Sequence, residues 1–373
     1  MVTSACNEKC LFCAKAGYQF EELSLRQCLA VLVKKRGEGF NCVVFDGGEP
    51  GLRADLQVLL LSALKLGYEC IEISTNATAF SSADAMEKLC RIKSADRKKI
   101  SFAVSLHAHT AAVSDKLTGL KGGFAKTMAG LKNIGEAGFN FGLYQVITAQ
   151  NYRSLPAYAS FIAKRLPKAR GVVFSFIFPS GNALRHREIY PKVSAAMPYL
   201  LRAGEILQRD GRMMSLSGCG TIPLCMLKGL EMLFVQAYEG ANSSNTQVVD
   251  SQKTEDFLFF DGKLVLDRKL KTKACACCVL NPICGGLWAI YAERYGLKEL
   301  KPVKTLQPLP HCKTITGVSF AAAPDEPLNS VLVRLYKSRL NNCEPQFSGE
   351  IKNRPDFSKI SGFWSAIFTG KTK

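Results

Sequence analysis

The amino-acid sequence predicts an α/β protein whose residues 1–210 form a partial (β/α)6 barrel of the TIM type. Short apolar runs alternate with helical patterns along this part of the chain. Repeated strand–helix units of this length imply parallel strands joined by right-handed crossovers. About six units fit into the segment, which is too few for a full eight-fold barrel. An open doubly wound sheet remains an alternative, because periodicity alone does not decide whether a sheet closes.

The predicted elements follow one another regularly along the chain. A short or truncated first strand precedes Cys6. Further strands are predicted where apolar runs are bounded by turn residues, at 41–46, 70–74, 100–106, 141–147 and 172–178. Residues at helical spacing predict helices over 56–66, 81–92, 124–137, 155–166 and 193–208. Gly67 and Gly138 follow two of these helices, as glycine commonly does at a helix C-terminus.

The pattern changes after residue 210. Residues 211–312 contain more turn residues and a second group of cysteines, so a second, smaller domain is expected there. Asp261-Gly262 lies between apolar runs and is a strong hairpin signal. Residues 313–373 are expected to form a basic C-terminal extension, with little pattern apart from a predicted helix over 329–340.

Composition narrows the class of protein. Hydrophobic residues make up 47% and charged residues 21% of the 373 residues, which is typical of a folded globular protein. No run approaches the roughly 20 apolar residues of a membrane helix, and no export signal precedes the first cysteines. Fifteen cysteines in such a chain favour metal ligands over disulfides and predict a cytoplasmic location.

Two cysteine clusters carry the strongest chemical signal. The first has the spacing C-x3-C-x2-C and consists of Cys6, Cys10 and Cys13. Asn7, Glu8 and Lys9 lie between the first two thiols, which indicates a polar loop and disfavours a packing role. Three thiolates this close together can hold one metal centre and leave a four-metal cluster one protein ligand short.

The second cluster has a C-x2-C-x5-C core formed by Cys275, Cys278 and Cys284. A fourth thiolate is needed to close the site, and Cys225 is the favoured candidate. Three rivals for a ligand position remain, namely Cys219, Cys277 and Cys312. Zinc satisfies four thiolates as well, so the spacing alone leaves a zinc knuckle as an alternative. Four other cysteines lie in predicted helices or strands and are expected to be packing residues: Cys28, Cys42, Cys70 and Cys90.

At this point the motifs resemble those of a known family. The three N-terminal cysteines, with Phe12 just before the third, resemble the signature of radical S-adenosylmethionine (radical SAM) enzymes. Further motifs follow in that family's order, each at the end of a predicted strand: Gly47-Gly-Glu-Pro50, Ser74-Thr-Asn76, Ser105-Leu-His107, Val146-Ile-Thr148 with Asn151, and Pro179-Ser-Gly-Asn182. The second cysteine cluster is similar to the auxiliary-cluster region of the SPASM/twitch subgroup. Gly51 departs from the pattern, since many relatives have a hydroxyl residue there.

The resemblance implies a mechanism and its cofactors. The first three cysteines would hold a 4Fe-4S cluster that binds S-adenosylmethionine and cleaves it to a 5′-deoxyadenosyl radical, which abstracts hydrogen from a substrate. An auxiliary 4Fe-4S cluster would occupy the second site. Residues implied to bind S-adenosylmethionine are Phe12, Gly47, Gly48, Glu49, Pro50, Ser74, Asn76, Ser105, His107 and Val146. The two glycines would let backbone groups reach the ligand.

Several simpler interpretations stay open beside this one. His107 is as readily a hydrogen-bonded structural histidine, whereas His109 and His186 are expected at the surface. Tyr291 and Tyr295 stand four residues apart, which favours helical packing over a radical relay. Implied partners are a low-potential electron donor, such as flavodoxin or ferredoxin, and a peptide or small-molecule substrate.

A non-catalytic zinc-knuckle protein that binds nucleic acid is the alternative function. The formal charge of +18 supports an anionic partner. The basic residues are scattered, however, and no RNA-recognition motif is visible, so nucleic acid is not the favoured partner.

Overall fold

A computed structural model describes residues 1–17, 21–216, 222–227, 269–278, 280–281 and 284–304. The predicted hairpin at Asp261-Gly262, the predicted helix over 329–340, Cys219 and Cys312 lie outside the described residues.

Six parallel strands form one sheet in the sequential order β1 to β6. They are β1 Cys42–Phe45, β2 Cys70–Thr75, β3 Ile100–Ser105, β4 Asn140–Ile147, β5 Gly171–Phe176 and β6 Met213–Leu216. A doubly wound sheet reverses its strand order at a switch point, whereas a barrel adds each strand to the same side of the one before. The sequential order therefore excludes the doubly wound alternative and confirms the partial α/β barrel.

Nine α-helices lie within the described part of the chain. They are α1 Leu25–Gly37, α2 Leu56–Lys65, α3 Ala83–Cys90, α4 Ser94–Arg97, α5 Ala111–Thr118, α6 Gly123–Glu136, α7 Leu155–Arg165, α8 Val193–Arg209 and α9 Ala289–Tyr295. Two short strands of two residues each, β7 Lys269–Leu270 and β8 Leu287–Trp288, form an antiparallel pair. Both precede α9 in the sequence. None of the described helices is long and apolar enough to span a membrane.

Local sequence explains where these elements begin and end. Ser24 caps α1 through a reciprocal capping box with Gln27, and the Ser82 hydroxyl caps α3. Gly67 and Gly138 adopt φ values of 83° and 79° just after α2 and α6, in the left-handed region that glycine enters without a steric penalty. The expected ends of these two helices are therefore confirmed.

Three differences separate the observed elements from the predicted ones. The expected first strand is reduced to an isolated bridge between Thr3 and Gly47. Residues 213–216, which lie in the turn-rich part of the sequence, instead form β6 and pair with β5. Helices α1 and α5 have no counterpart among the predicted elements, because polar residues interrupt their apolar spacing.

The sheet has two chemically different faces. Ile71, Ile73 and Phe102 point toward the helices and belong to the main apolar core. Successive side chains of a strand point to opposite faces, so their neighbours line the inside of the barrel. We call this second surface the inner face. It carries the polar side chains of Glu72, Ser74, Ser101, Ser105, Tyr144, Ser175 and Ser215.

Candidate active site and its anchoring

The first three cysteines share one loop, residues 6–13, which follows the bridge at Thr3. Cys6 is exposed, whereas Cys10 and Cys13 are partly buried. The pKa of Cys6 is raised to about 11, mainly by partial burial of its thiol, with smaller contributions in the same direction from Glu49, Glu8 and the neighbouring Cys13 thiol. The Cys10 thiol donates to the Glu8 carboxylate at 3.4 Å. Burial raises the pKa of Cys10, and Glu8, Cys13 and Cys6 add to the shift, so the three thiols lie close enough to affect one another electrostatically.

The Gly47–Gly48 turn packs against the chain that leads into this loop. Gly48 donates its N–H to the Thr3 carbonyl, and Glu49 donates its N–H to the Ala5 carbonyl, both at 2.7 Å. A Cβ atom on either glycine would lie 2.1 Å from a backbone oxygen, that of Thr3 or of Ala5. The two glycines thus leave room for the backbone of residues 3–5. The structure explains both glycines by this packing, whereas the sequence analysis explained them by the approach of a ligand.

Glu49 is buried and its carboxylate is fully engaged by the protein. It accepts hydrogen bonds from Gly51 N–H at 2.7 Å, Thr75 Oγ1 at 2.6 Å and Asn76 N–H at 2.6 Å. Burial still raises its pKa above the ordinary value of a glutamate, although these three donors oppose the shift. Gly51, the departure from the family pattern, leaves its N–H available for Glu49, and a Cβ there would lie only 2.7 Å from the carboxylate.

Asn76 connects the end of β2 to the cysteine loop. Its Nδ2 donates to Asn7 Oδ1 at 2.8 Å, and its Oδ1 accepts from the Thr78 hydroxyl at 2.7 Å. Asn7 in turn donates to that hydroxyl at 2.7 Å, which closes a three-membered polar network. The sequence analysis did not find the roles of Asn7 and Thr78. The only available signal was the polar character of the residues between the first two cysteines.

The backbone of α5 holds the middle of the loop. Lys9 and Leu11 donate their N–H groups to the carbonyls of Thr118 and Leu117 at 2.8 Å and 2.9 Å. Both bonds join main chain to main chain, although no strand forms there. The loop position is therefore fixed by main chain that no sequence motif marks.

Asn182 holds the second half of the loop, from Cys10 to Cys13. Its Nδ2 donates to the Cys10 carbonyl and its N–H donates to the Cys13 carbonyl, both at 2.9 Å. Gly181 just before it has φ +55°, and a Cβ atom there would lie 2.4 Å from the Cys13 oxygen. Asn182 therefore orients two of the three thiol-bearing residues through their backbone.

Phe12 and His107 pack against each other beside the loop. Their ring centroids are 4.5 Å apart in an edge-to-face arrangement. His107 Nδ1 accepts the N–H of Val146 at 3.1 Å, and burial lowers the pKa of His107 to about 3. The ring is therefore neutral at ordinary pH and carries its proton on Nε2. Phe12, His107 and Val146 form an apolar wall. The structure therefore brings three of the implied cofactor-binding residues together.

The remaining implied ligand-binding residues lie at the same edge of the sheet. Pro50 is buried at the start of a 3-10 turn that follows Glu49. Ser74 and Ser105 are half-buried on the inner face, near the carboxyl ends of β2 and β3. In barrel enzymes the ligands bind at this edge.

The second group of cysteines lies apart from the first. Cys225, Cys275, Cys278 and Cys284 line a single cavity. Val303 N–H donates to Cys278 Sγ at 3.3 Å. Cys277, the adjacent rival for a ligand position, is exposed and does not line this cavity.

Other residues singled out in the sequence take structural positions. Tyr291 accepts the N–H of Val193 at 2.8 Å and donates to Glu299, and Tyr295 donates to the Tyr190 carbonyl at 2.7 Å. These bonds dock α9 onto the barrel. Cys28 and Cys70 are buried as expected, whereas Cys90 is exposed at the end of α3, so its assignment to packing was wrong. His186 lies at the surface as expected, with 38% of its side chain exposed, whereas His109 is half-buried and its Nδ1 atom is buried, which corrects its expected surface position.

Comparison with known proteins agrees with the resemblance for the first part of the chain. A model of the radical SAM superfamily matches residues 1–162. Fe-coproporphyrin III synthase of Methanosarcina barkeri is 31% identical over 159 residues, covering 42% of this chain and 38% of that protein. A Saccharolobus solfataricus protein named Probable GTP 3',8-cyclase is 34% identical over 139 residues, covering 37% and 42% respectively. The chain thus spans less than half the length of each of these relatives.

A solved structure shares the fold over a longer range. The Streptococcus suis protein SuiB, bound to S-adenosylmethionine, matches with a TM-score of 0.56 and 18% identity, covering 78% of this chain and 72% of its own. These findings support the radical SAM superfamily for this chain, and the relatives named above are enzymes.

Proposed function

We propose that this protein is a radical SAM enzyme whose first cluster is held by Cys6, Cys10 and Cys13. The observation that carries the proposal is the anchored loop 6–13. Gly48 and Glu49 are bonded to residues 3 and 5 just before the loop, and the eight residues that carry the three thiols are bonded to Asn76, to α5 and to Asn182. All but the last of these anchors lie inside the segment that matches the family.

The residues present fit a cluster better than a single ion. A zinc ion bound at about 2.3 Å brings its thiolates within about 4 Å of one another. Among the described residues, no three cysteine, histidine or carboxylate side chains are close enough to share one ion. A 4Fe-4S cluster binds each thiolate at a different iron and so accommodates wider spacing. When bound by three cysteines, such a cluster supplies the electron that cleaves S-adenosylmethionine to a 5′-deoxyadenosyl radical.

The chain's own residues would orient the ligand and exclude water. The Gly47–Pro50 turn is held by the Glu49 carboxylate, so its main chain is preorganised at the edge of the loop. Phe12 and His107 present a neutral, largely apolar wall, which suits an adenine ring and keeps solvent from a reactive radical. Ser74 and Ser105 offer hydroxyls on the inner face next to this wall.

We assign the auxiliary 4Fe-4S cluster to Cys225, Cys275, Cys278 and Cys284. Their shared cavity supports this ligand set, and the exposed position of Cys277 supports Cys278 over its neighbour. Four protein thiolates leave no iron open to a substrate, so the role of this cluster is electron transfer or stabilisation of the region around β7 and β8.

The proposed partners are a low-potential electron donor, such as flavodoxin or ferredoxin, and a small-molecule substrate. Two relatives are named for making Fe-coproporphyrin III and for cyclising GTP. These names favour a small molecule over a peptide. Nucleic acid binding through zinc knuckles is disfavoured, because the match of residues 1–162 to the radical SAM superfamily supports a cluster-binding enzyme.

The test compares three proteins after anaerobic reconstitution with iron and sulfide. The wild type should form 5′-deoxyadenosine from S-adenosylmethionine under reduction, measured by liquid chromatography. The variant with Cys6, Cys10 and Cys13 all changed to Ala should form none and keep only the auxiliary iron. Cys90→Ala removes an exposed cysteine elsewhere and should behave as the wild type. Undiminished cleavage in the triple variant, or none in the wild type, would refute the assignment.

A further inference from the structure

Glu72 is a buried acidic residue to which the mechanism above gives no role. It lies in the middle of β2 with 4% of its surface exposed. Its neighbours Ile71 and Ile73 belong to the apolar core on the helix side. Glu72 therefore points to the opposite side and lies on the inner face of the barrel.

The residues beside Glu72 on neighbouring strands give it no ionic partner. Val44 of β1 and Ser101 of β3 are in register with it. Val44 is 41% exposed, so this part of the inner face opens toward solvent. The Ser101 hydroxyl donates to the Ile71 carbonyl and is not available to the carboxylate.

One oxygen of the Glu72 carboxylate is left unsatisfied by the described part of the chain. Its Oε2 atom is buried and has no hydrogen-bond partner there. Burial, together with the nearby Asp46 and Cys42, raises the pKa of Glu72 to about 8, and no described cation opposes the shift. Lys15 lies in this region but binds Asp46 at 2.5 Å.

Glu49 is a buried glutamate whose hydrogen-bond partners come from the protein itself, and it serves as a comparison for Glu72. Both glutamates are almost fully buried, yet Glu49 accepts three hydrogen bonds. A buried carboxylate oxygen without a donor costs free energy, and a basic group supplied from outside the chain would recover that cost. The contrast between the two residues marks Glu72 as the one that faces a ligand.

We propose that Glu72 is a substrate-binding residue whose carboxylate receives a basic nitrogen, an ammonium or a guanidinium, of a substrate that enters the inner face. This inference rests on the proposed function and adds a chemical class of substrate to it. Asn76, just beyond the end of β2, is four residues further along the chain, about 13 Å away at 3.3 Å per residue. The substrate therefore carries its basic group well away from the carbon that reacts near the cysteine loop.

Direct titration with a simple cation tests the proposal. The probe is N-butylguanidinium, with uncharged N-butylurea of similar shape as its control, and binding to the reconstituted full chain is followed by saturation-transfer NMR. The guanidinium should bind and the urea should not. With a pKa near 8 the ionised fraction of Glu72 rises from about 0.1 at pH 7 to about 0.9 at pH 9, so the guanidinium should bind roughly tenfold more tightly at pH 9.

Two variants make the result specific. Glu72→Gln should weaken binding of the guanidinium at pH 9 at least tenfold and remove its pH dependence. Glu69→Gln makes the same change of charge at an exposed position just before β2 and should change neither. The thermal midpoint of ligand-free Glu72→Gln should equal or exceed that of the wild type, because no internal ion pair is lost.

Three results would overturn the inference. They are absence of guanidinium binding by the wild type, equal binding by Glu72→Gln, and a clear loss of thermal stability in that variant, which would indicate a partner within the chain. The titration needs neither S-adenosylmethionine nor an electron donor. Its failure is therefore separate from a failure of the wild type to cleave S-adenosylmethionine, which would bear on the proposed function.

Discussion

Changing Gly48 to Ala tests whether the glycine turn positions the cysteine loop through the chain itself. The added Cβ atom would lie 2.1 Å from the Ala5 oxygen, 2.6 Å from the Ala5 carbonyl carbon and 2.7 Å from the Ser4 oxygen. All three are backbone atoms, so no side chain can rotate away. Residues 4 and 5 must move by roughly 1 Å to restore ordinary van der Waals contact. Cys6 follows directly and must move with them.

The cost follows from the bonds that this movement breaks. Two backbone hydrogen bonds of 2.7 Å, from Gly48 to Thr3 and from Glu49 to Ala5, hold the two segments together. Each contributes about 1 kcal/mol net, and forcing extra volume into a packed site costs about 1–3 kcal/mol more. We expect Gly48→Ala to lower the free energy of unfolding by about 3–5 kcal/mol and to lose iron from the first cluster.

The assay combines urea unfolding with iron analysis and the absorbance of the reconstituted protein. Gly37→Ala is the matched control, because Gly37 has nothing within 4 Å of its Cβ position and ordinary helical φ. That variant should retain all its iron and be equal to or slightly more stable than the wild type. Wild-type stability and iron content in Gly48→Ala would show that residues 3–5 do not depend on the turn.

Three further predictions follow from contacts described above. Asn182→Ala removes the side-chain hydrogen bond to the Cys10 carbonyl and should lower the free energy of unfolding by about 1 kcal/mol. Asn133→Ala is the control away from the loop: it removes hydrogen bonds to the carbonyls of Phe80 at 3.0 Å and Ser81 at 3.5 Å and should cost at least as much in urea unfolding. Only Asn182→Ala should change the electron paramagnetic resonance spectrum of the first cluster. Cys278→Ser should lose the auxiliary iron, whereas Cys277→Ser should keep it; the reverse in an iron assay would overturn the ligand choice. Between about pH 5 and pH 8 native Glu72 holds a proton that the unfolded chain has released, so the free energy of unfolding should fall with rising pH by up to about 1.4 kcal/mol per unit, and urea unfolding of Glu72→Gln should lack this slope.

The sheet was largely predictable because its strands are short apolar runs bounded by turn residues. Strands β2 and β3 and helix α2 lie within one residue of their predicted positions. Strand β6 escaped prediction because Met213-Met-Ser-Leu216 is only four residues long and is followed by cysteines and turn residues. Its strand character comes from pairing with β5, which a local pattern does not contain.

The sequence predicted the thiols of the candidate site but not the residues that hold those thiols in place. Spacing in the sequence identifies Cys6, Cys10 and Cys13, because the residues that hold one centre stand close together in the chain. The contacts that fix them come from Thr78, Thr118 and Asn182, which are distant in sequence. Glu49 was expected to bind S-adenosylmethionine, whereas its carboxylate accepts three hydrogen bonds from the protein itself.

The bond from Asn182 to the Cys10 carbonyl also sets an order of events during synthesis. The two residues are 172 positions apart. At about 5–20 residues per second, a ribosome needs about 10–35 s to travel from the first to the second. Throughout that interval the three thiols exist without the residue that orients two of them. Cellular machinery that delivers iron and sulfur should therefore act on a barrel that has already folded through Asn182, and the nascent N-terminal segment should be a poor acceptor.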